Sequence, residues 1–529
     1  MTKFVFVTGG VLSGVGKGVT AASIATLLQA RGYKVNIQKC DPYFNVDAGT
    51  LNPAEHGEVF VTKDGAETDL DLGHYERFLN KELTASSSTM SGRIFRQVIE
   101  DERAGKYLGK TVQIIPHVTN AMQEAILASA EGYDVHIVEV GGTVGDYEST
   151  AFIEAIRQLK DKLGSKNAIS VHVVYLPYIK ASEEVKSKPA QNAVRDLREV
   201  GIYPDILVAR ADHDISSGII EKLSLFTGIS KNAVVPMPTV DTIYRVPIMV
   251  EDLGVGSLVC QYLDLKDKKP NLKNWNKLVK TVTDKNLPVV KVGVVAKYLD
   301  HQDTYASVVE AAKSAAWSLG KKAQIFWIDA EKVNDATAPK MLSSYDAIIV
   351  PGGFGERGVE GKIAAAKYCL THDLPYLGLC LGMQVSAIAA ARLGGYSKAN
   401  STEFDPATKD PVIDLMESQK MVAMKGGTMR LGNYDCQLEK GSKAAKLYGA
   451  TKISERHRHR YEFNSDYEKI IEKSGLRVVG KNPQTGLAEV VEGTNNRYFV
   501  ATQYHPEFKS RPLQPQPLFV GLIKSARAK

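Results

Sequence analysis

Residues 8–20 of this 529-residue chain read TGGVLSGVGKGVT, a glycine-rich turn between two regular elements. The run before it, KFVFVTG, is apolar and typical of a buried strand, and the run after it continues as a helix up to Arg31-Gly32. A strand, a glycine loop and a helix in this order favour anion binding, because backbone N–H groups at the helix start point at the phosphate. The stretch therefore predicts an α/β fold with a nucleotide site.

The loop departs from the usual pattern G-x-x-x-x-G-K-[ST] in two places. Val11 occupies the position of the first glycine, and Gly18 stands where a hydroxyl normally binds magnesium. In one interpretation the glycines let the backbone approach a nucleotide and Lys17 supplies a charge for its β- and γ-phosphates. The other interpretation is an ordinary glycine-rich turn with a solvent-facing lysine.

If the loop binds a nucleotide, its magnesium needs carboxylates from elsewhere in the chain. Asp71 lies in the acidic, aromatic stretch ETDLDLGHYERF, and Glu139 ends the strand DVHIVEV. A carboxylate at the end of a parallel strand faces the crevice where ligands bind. Both are candidate metal ligands, although Asp71 is also compatible with an ordinary surface charge.

Basic residues for further phosphates occur later in the chain. Lys39 ends the second strand, the segment Lys186–Gln191 carries two lysines and a glutamine near a rigid proline, and Lys222 follows. Each alone is most simply a surface lysine. Together with the loop they would suit two triphosphates.

The order of elements predicts two domains. Apolar runs separated by helices indicate a parallel sheet covered on both faces. In the first half we read residues 112–132 as strand, turn and helix. A lysine-rich, weakly periodic stretch then interrupts the pattern, and a second α/β series starts afresh near residue 289. We expect a domain at 1–265, a linker at 266–288 and a second domain at 289–529, each with a mainly parallel sheet flanked by helices.

The composition limits the class of protein. The chain is 44% hydrophobic and 24% charged, and no apolar run approaches the ~20 residues that cross a bilayer. The five scattered cysteines argue against a disulfide framework. The N-terminus begins a strand almost at once, so we expect no signal peptide and a cytoplasmic location. A net charge of +6 is too mild to indicate a nucleic-acid partner.

The second half contains a cysteine in the setting of a nucleophile. Residues 378–382 read GLCLG, the cysteine version of the elbow in which small neighbours permit a sharp strand-to-helix turn. His505 and Glu507, in QYHPEF, would be the base of Cys380 and the acid that orients that base. A buried structural cysteine is the competing interpretation.

Other motifs would complete such a site. Gly352 and Gly353, in VPGGFG, follow another strand, and their N–H groups could stabilise an oxyanion. Glu403 and Arg460 could pair with the charged ends of an amino-acid substrate. The run RHRHRY could also contact nucleic acid, but it is short and isolated.

The chain resembles the CTP synthases over nearly all of its length. The stretches that carry the resemblance are SGVGKG, CDPYFNVDAGTLNPAEHGEVFVTKDGAETDLDLGHYERF, EVGGTVGDYES, PGGFGERG, GLCLGMQ, ANSTEF, RHRHRYEFN and QYHPEF. The front half is similar to a P-loop amidoligase domain of the dethiobiotin-synthetase type. The back half is similar to class I glutamine amidotransferases with a flavodoxin-like sheet. The resemblance implies ATP-dependent amination of UTP through a 4-phosphoryl intermediate, with ammonia released from glutamine at Cys380 and passed through an internal tunnel.

The resemblance also implies a set of site residues. ATP would contact Gly14, Val15, Gly16, Lys17, Gly18 and Asp71, with Mg²⁺ on Asp71 and Glu139. UTP, or CTP as feedback inhibitor, would contact Ser13, Lys39, Asp146, Tyr147, Glu148, Lys186, Ser187, Lys188, Pro189, Ala190, Gln191 and Lys222. Glutamine would contact Gly353, Leu381, Gln384, Glu403 and Arg460, the oxyanion hole would comprise Gly352, Gly353 and Leu381, and the tunnel entrance His56 and Val59.

Further family traits are activation by GTP, a homotetramer and filaments. Without the resemblance, the residues indicate only an ATP-using ligase supplied with ammonia by a glutaminase. Another glutamine-dependent amidoligase, such as one that amidates a cofactor carboxylate, therefore stays open from the residues. A partition-type ATPase with a decayed amidotransferase module is disfavoured, because Cys380, His505 and Glu507 are all present.

Overall fold

The structure is a computed structural model that describes residues 1–51, 56–299, 302–416 and 429–526. The chain divides into two compact units. The first unit comprises residues 1–47 and 74–283, and the second comprises residues 48–73 and 284–529. A short segment from the front of the chain, 48–73, therefore belongs to the second unit.

The first unit is built on a parallel sheet, which confirms the predicted α/β class. In spatial order, the strands of this sheet within the described residues are Val234–Pro238, Ile206–Ala211, Ala168–Tyr175, Lys3–Gly9, Val135–Val140, Val35–Asp41 and Ser88–Met90. Strand Lys3–Gly9 is buried from its second residue onward, as its continuous apolar run predicts. Its carboxyl end leads into the glycine loop, next to the carboxyl ends of the neighbouring strands.

Helices cover this sheet, and their apolar side chains pack against the strands. Their bounds are Lys17–Ala30, Ser91–Arg103, Thr119–Ala130, Thr150–Leu163, Lys188–Glu199, Ser217–Thr227, Val246–Asp252, Val255–Tyr262 and Lys273–Val282, and Asp71–Leu79 continues from the second unit into the first. The predicted linker thus contains a helix, Lys273–Val282. A small hairpin pairs Tyr178–Ile179 with Glu184–Val185.

The strand predicted at the start of residues 112–132 is wrong. Residues Ile114–Val118 form a short irregular helical turn that leads into helix Thr119–Ala130. Pro116 has no N–H to donate to a sheet. Ile114 and Ile115 are both about half exposed, at 53% and 51%, so the apolar run is not buried.

The second unit contains a sheet that is parallel in one half and antiparallel in the other. In spatial order its described strands are Lys322–Asp329, Val289–Ala296, Ala347–Val350, Tyr376–Leu379, Phe499–Thr502, Ala488–Gly493, Leu476–Lys481, Arg430–Leu438 and Lys452–His459. The parallel half contains three adjacent strands, Ala347–Val350, Tyr376–Leu379 and Phe499–Thr502. Their carboxyl ends therefore bring three loops to one edge.

Helices cover both faces of this sheet, and each face has its own apolar core. Their bounds are Ala306–Ser318, Ala338–Leu342, Val359–Thr371, Leu381–Leu393, Lys443–Tyr448, Glu468–Lys473 and Pro517–Ser525. Smaller sheets join Asn400–Ser401, Pro411–Leu415 and Tyr461–Phe463, and pair Phe60–Val61 with Glu67–Thr68. Within the described ranges, none of the helices of either unit combines the length and the apolarity needed to cross a bilayer.

Candidate functional site

Cys380 stands at a sharp turn between strand Tyr376–Leu379 and helix Leu381–Leu393. Its backbone has φ 51° and ψ −101°, a strained conformation for any residue but glycine. The flanking glycines are required for packing: a Cβ on Gly378 would lie 2.7 Å from Gly382, and a Cβ on Gly382 would lie 2.1 Å from the Val350 carbonyl oxygen. The turn therefore has the geometry of a nucleophile elbow, as the GLCLG pattern predicts.

His505 follows the adjacent strand, Phe499–Thr502, and its ring lies beside Cys380. Its Nδ1 is 2.7 Å from Oε1 of Glu507, and the rings of His505 and Phe508 stack with centroids 5.0 Å apart. Burial lowers the pKa of His505, but Glu507 and the Cys380 thiol outweigh that effect and raise the pKa to about 10. A raised pKa favours the imidazolium form of His505, the partner that a cysteine thiolate requires.

The predicted oxyanion loop follows the third strand of this edge, Ala347–Val350. A Cβ on Gly352 would lie 2.9 Å from Cε1 of His505 and 3.7 Å from Cβ of Cys380, so the loop touches both residues. A Cβ on Gly353 would lie 3.7 Å from Cδ2 of Leu381, the first residue of the helix. The structure brings the three predicted oxyanion residues together around the thiol.

A cavity of about 90 Å³ opens at this point. Its lining includes predicted site residues, namely Cys380, His505, Glu507, Gly352, Gly353 and Val59. Val59 comes from the segment 48–73, which belongs to the same unit. His56 is half-buried and does not line the cavity.

The predicted glutamine ligands occupy the surroundings of this cavity. Glu403 accepts a hydrogen bond of 2.8 Å from the Gly355 N–H, and burial raises its pKa. The charges of Glu403 and Arg460 both act on the Tyr461 hydroxyl. Gln384 donates to the Tyr461 carbonyl at 3.0 Å. Tyr461 is therefore the common neighbour of Glu403, Arg460 and Gln384. None of these three residues lines the cavity itself.

Three residues that the sequence analysis did not single out also contact the site. Gln503 places its Nε2 3.7 Å from the Cys380 sulfur, and the thiol lies 3.8 Å from the Arg458 carbonyl oxygen. Phe508 stacks on His505. Gln503 and Phe508 lie within the same QYHPEF motif as His505, so the motif itself could have indicated them.

In the first unit, the glycine loop at residues 8–20 contains backbone conformations with positive φ. Gly14 and Gly16 have φ of 69° and 97°, which favour glycine. Val11 has φ 79° although it is β-branched, and this strain falls where the usual motif has glycine. Lys17 lies folded along the loop, with its Nζ donating to the Gly142 carbonyl at 2.8 Å and its stem against Gly9.

The predicted metal ligand Glu139 lies next to this loop through sheet register, since it pairs with Val7 on one side and Lys39 on the other. Its Oε1 is 3.2 Å from the Lys39 ammonium, and its Oε2 accepts a hydrogen bond from the Tyr75 hydroxyl. Asp71 begins helix Asp71–Leu79. No cluster of three or more His, Cys, Asp or Glu side chains suited to a metal occurs among the described residues.

The predicted UTP residues fall into separate groups. Lys186 pairs with Glu184, and the charge of Lys222 acts on the same carboxylate. Both lysines therefore lie near Glu184, in the hairpin that pairs Tyr178–Ile179 with Glu184–Val185. Gln191 donates to the Ser187 hydroxyl at 3.1 Å, and Lys188, Pro189 and Ala190 form the first turn of a helix. Asp146, Tyr147 and Glu148 are exposed, Tyr147 by 96%, and Ser13 is exposed on the glycine loop.

Comparison with known proteins places both halves of the chain. Residues 3–265 match the family model described as CTP synthase N-terminus, and residues 300–525 match the model described as glutamine amidotransferase class-I.

Full-length relatives agree with these two matches. A protein named CTP synthase from Methanocaldococcus jannaschii is 51% identical, covering 99% of this chain and 98% of its own length. One of the same name from Roseiflexus sp. is 49% identical, covering 99% and 95%. A solved structure titled Trypanosoma brucei CTPS glutaminase domain with bound acivicin is 37% identical, covering 45% of this chain and 93% of its own, with a TM-score of 0.42. The chain belongs to the CTP synthase family, whose members are glutamine-hydrolysing ligases.

Proposed function

We propose that this protein makes CTP from UTP, ATP and glutamine, with ADP, phosphate and glutamate as the other products. Membership of the family supports the overall reaction. The single observation that supports the glutaminase half most strongly is the strained turn at Cys380, with the His505–Glu507 pair beside it. The predicted oxyanion loop, residues 351–355, lies against both Cys380 and His505.

In the glutaminase half, the Cys380 sulfur attacks the side-chain amide carbon of glutamine. The carbonyl oxygen becomes an oxyanion that the N–H groups of Gly352, Gly353 and Leu381 stabilise. The His505 imidazolium gives its proton to the departing nitrogen, so ammonia leaves and a thioester forms. Neutral His505 then takes a proton from water, which attacks the thioester carbon; the C–S bond breaks, glutamate leaves, and the thiolate and the imidazolium are restored.

Glu507 holds His505 in the orientation that this cycle needs. Its carboxylate is buried, at 3% exposure, and accepts the Nδ1–H, which leaves Nε2 for the sulfur and the substrate. Glu403 and Arg460 are the candidates for the ammonium and carboxylate of glutamine. Leu381 and Gln384 complete the proposed glutamine contacts.

In the synthetase half, the γ-phosphoryl group of ATP moves to O4 of UTP, and ammonia then displaces phosphate at C4. The loop residues Gly14, Val15, Gly16 and Gly18 and the side chain of Lys17 are the proposed ATP contacts. Lys17 would exchange its hydrogen bond to the Gly142 carbonyl for phosphate oxygens. Proposed UTP contacts remain the residue set given in the sequence analysis.

Mg²⁺ is the metal expected with ATP, and Asp71 and Glu139 are its proposed ligands. Carboxylates are the hard oxygen donors that Mg²⁺ prefers, so the residue types fit the ion. When bound, Mg²⁺ offsets the negative charge of the triphosphate. Lys39, which pairs with Glu139 and Asp41 at the end of its strand, stays among the proposed phosphate contacts.

The remaining proposals rest on the family resemblance. They are ammonia transfer past His56 and Val59, activation by GTP, feedback inhibition by CTP, a homotetramer that forms filaments, and a cytoplasmic location. The position of Val59 in the lining of the Cys380 cavity supports its part in this set.

Product analysis tests the function directly. The purified protein is incubated with UTP, ATP, Mg²⁺ and either glutamine or ammonium, and nucleotides are separated. CTP should form with both nitrogen sources. If glutamine is hydrolysed and ATP consumed but no CTP forms, the proposal is wrong.

A further inference from the structure

Two buried lysines of the second unit contact the predicted oxyanion loop, residues 351–355. Lys297 directly follows strand Val289–Ala296 and is 3% exposed, and Lys362 lies in helix Val359–Thr371 and is 0% exposed. Fully buried lysines are rare unless they are paired. Burial lowers the pKa of Lys297 to about 8 and that of Lys362 well below the usual value, so the fold bears a cost to keep them there.

The hydrogen-bond acceptors of both ammonium groups are main-chain carbonyl oxygens of this one loop. Lys362 donates from Nζ to Pro351 at 2.8 Å and to Gly352 at 3.3 Å. Lys297 donates to Gly355 at 2.7 Å and also to Phe354. The stem of Lys297 presses on Gly353, where a Cβ would lie 2.9 Å from its Cε.

Peptide geometry translates these contacts into an orientation of the loop. In a trans peptide the C=O and the following N–H point in opposite directions. The Pro351 carbonyl shares its peptide with the Gly352 N–H, and the Gly352 carbonyl shares its peptide with the Gly353 N–H. By holding those two carbonyls, Lys362 keeps the two N–H groups pointing away from its ammonium group. The loop that carries them lies against His505 and Cys380 at Gly352 and against Leu381 at Gly353.

The geometry points to Lys362 as the positioning residue of the oxyanion hole, with Lys297 fixing the next two peptides of the same loop. This inference rests on the proposed glutaminase reaction and names a residue that acts through the backbone. The hydrogen bonds of Lys362 go to the loop carbonyls, and its charge also acts on Cys380. Through those carbonyls Lys362 sets where the N–H donors stand when the oxyanion forms.

Lys362→Met tests the inference, because methionine fills similar apolar space and cannot donate a hydrogen bond. Bound glutamine carries no oxyanion, which develops only as the sulfur attacks. Weaker stabilisation of the oxyanion therefore lowers kcat and leaves KM nearly unchanged. Deleting one such donor costs ~100- to 1,000-fold, and donors that are present but displaced should cost less, roughly 10- to 100-fold in kcat for glutamate release. Circular dichroism and the urea unfolding midpoint, compared with those of the wild type, report that the variant is folded.

Lys367→Met is the matched control. It lies on the same helix, is partly exposed and pairs with Asp335 at 2.7 Å, so its glutaminase kinetics should equal those of the wild type. Lys297→Met should also lower kcat. The Lys297→Met, Lys362→Met double variant should lose less than the product of the two single losses, because both lysines hold one loop.

Each outcome bears on the inference. A folded Lys362→Met protein with wild-type kcat, or with its loss confined to KM, overturns it, as does an equal loss in Lys367→Met. If Lys362→Met does not fold, Lys297→Met decides, and an unchanged kcat there is equally adverse. Wild-type protein that releases no glutamate, or Cys380→Ala protein that still does, would instead refute the glutaminase reaction itself.

Discussion

Replacing Glu507 with glutamine would remove the charge beside His505 and change little else. Oε1 of Glu507 is 2.7 Å from Nδ1 of His505, and Glu507 is only 3% exposed. A hydrogen bond to a charged group contributes about 1.5–3 kcal/mol. At 1.36 kcal/mol for each tenfold change, the rate of glutamine hydrolysis should fall by about 10- to 150-fold.

The same change should shift the pH dependence. Burial lowers the pKa of His505, while Glu507 and Cys380 together bring it to about 10, above the ~6.5 of an unfolded histidine. A raised pKa means that protonation stabilises the fold fully below pH ~6.5, and this stabilisation is lost as the pH rises towards about 10. In Glu507→Gln, losing the ~1.5–3 kcal/mol of the charged hydrogen bond corresponds to a fall of about one to two units in the pKa of His505.

The assay is glutamate release measured between pH 6 and pH 10, together with urea unfolding at both ends of this range. The alkaline limb of activity should move to lower pH in Glu507→Gln, and the variant should lose less stability between the two pH values than the wild type. Glu439→Gln is the control, since Glu439 is an exposed partner of Arg477. An unchanged rate together with an unchanged pH profile would refute the reasoning.

Three further substitutions separate the two chemistries. Cys380→Ala should reduce glutamine-dependent CTP synthesis to below about one thousandth while ammonia-dependent synthesis continues, and loss of both would mean that the roles are misassigned. Lys17→Ala should abolish synthesis from either nitrogen source, because both need the γ-phosphate in place; turnover with ammonia would contradict this. Asp71→Asn should raise the Mg²⁺ concentration for half-maximal synthesis by at least about tenfold, and an identical magnesium titration would exclude it as a ligand.

Local patterns made part of the site predictable. The turn at Cys380 has no room for a Cβ at positions 378 and 382, so the sequence shows glycine at both. Glu507 could be paired with His505 because the two lie only two residues apart. The parallel strands that carry these residues also follow from continuous apolar runs.

Other contacts depend on tertiary packing that no local pattern reveals. Lys362 reads as one more helix lysine, and only the packing of its helix against the loop shows that its ammonium reaches two carbonyl oxygens. The positive φ of Val11 is likewise set by the loop as a whole. The strand wrongly predicted at the start of residues 112–132 shows the converse, since an apolar run followed by Pro116 need not be buried.

The segment 48–73 determines how late in translation the second unit can finish folding. The Phe60 ring packs on Phe508 at 5.1 Å and beneath the Arg456 guanidinium at 5.3 Å, and Arg456 donates to the Val61 carbonyl. At ~5–20 residues per second, roughly 20–90 s of translation separate Phe60 from Phe508. During that time the early segment is attached to a growing chain without its final neighbours. The second unit can therefore be completed only after residue 508 has been made, so the candidate site at Cys380 takes its final form long after its first segment has left the ribosome.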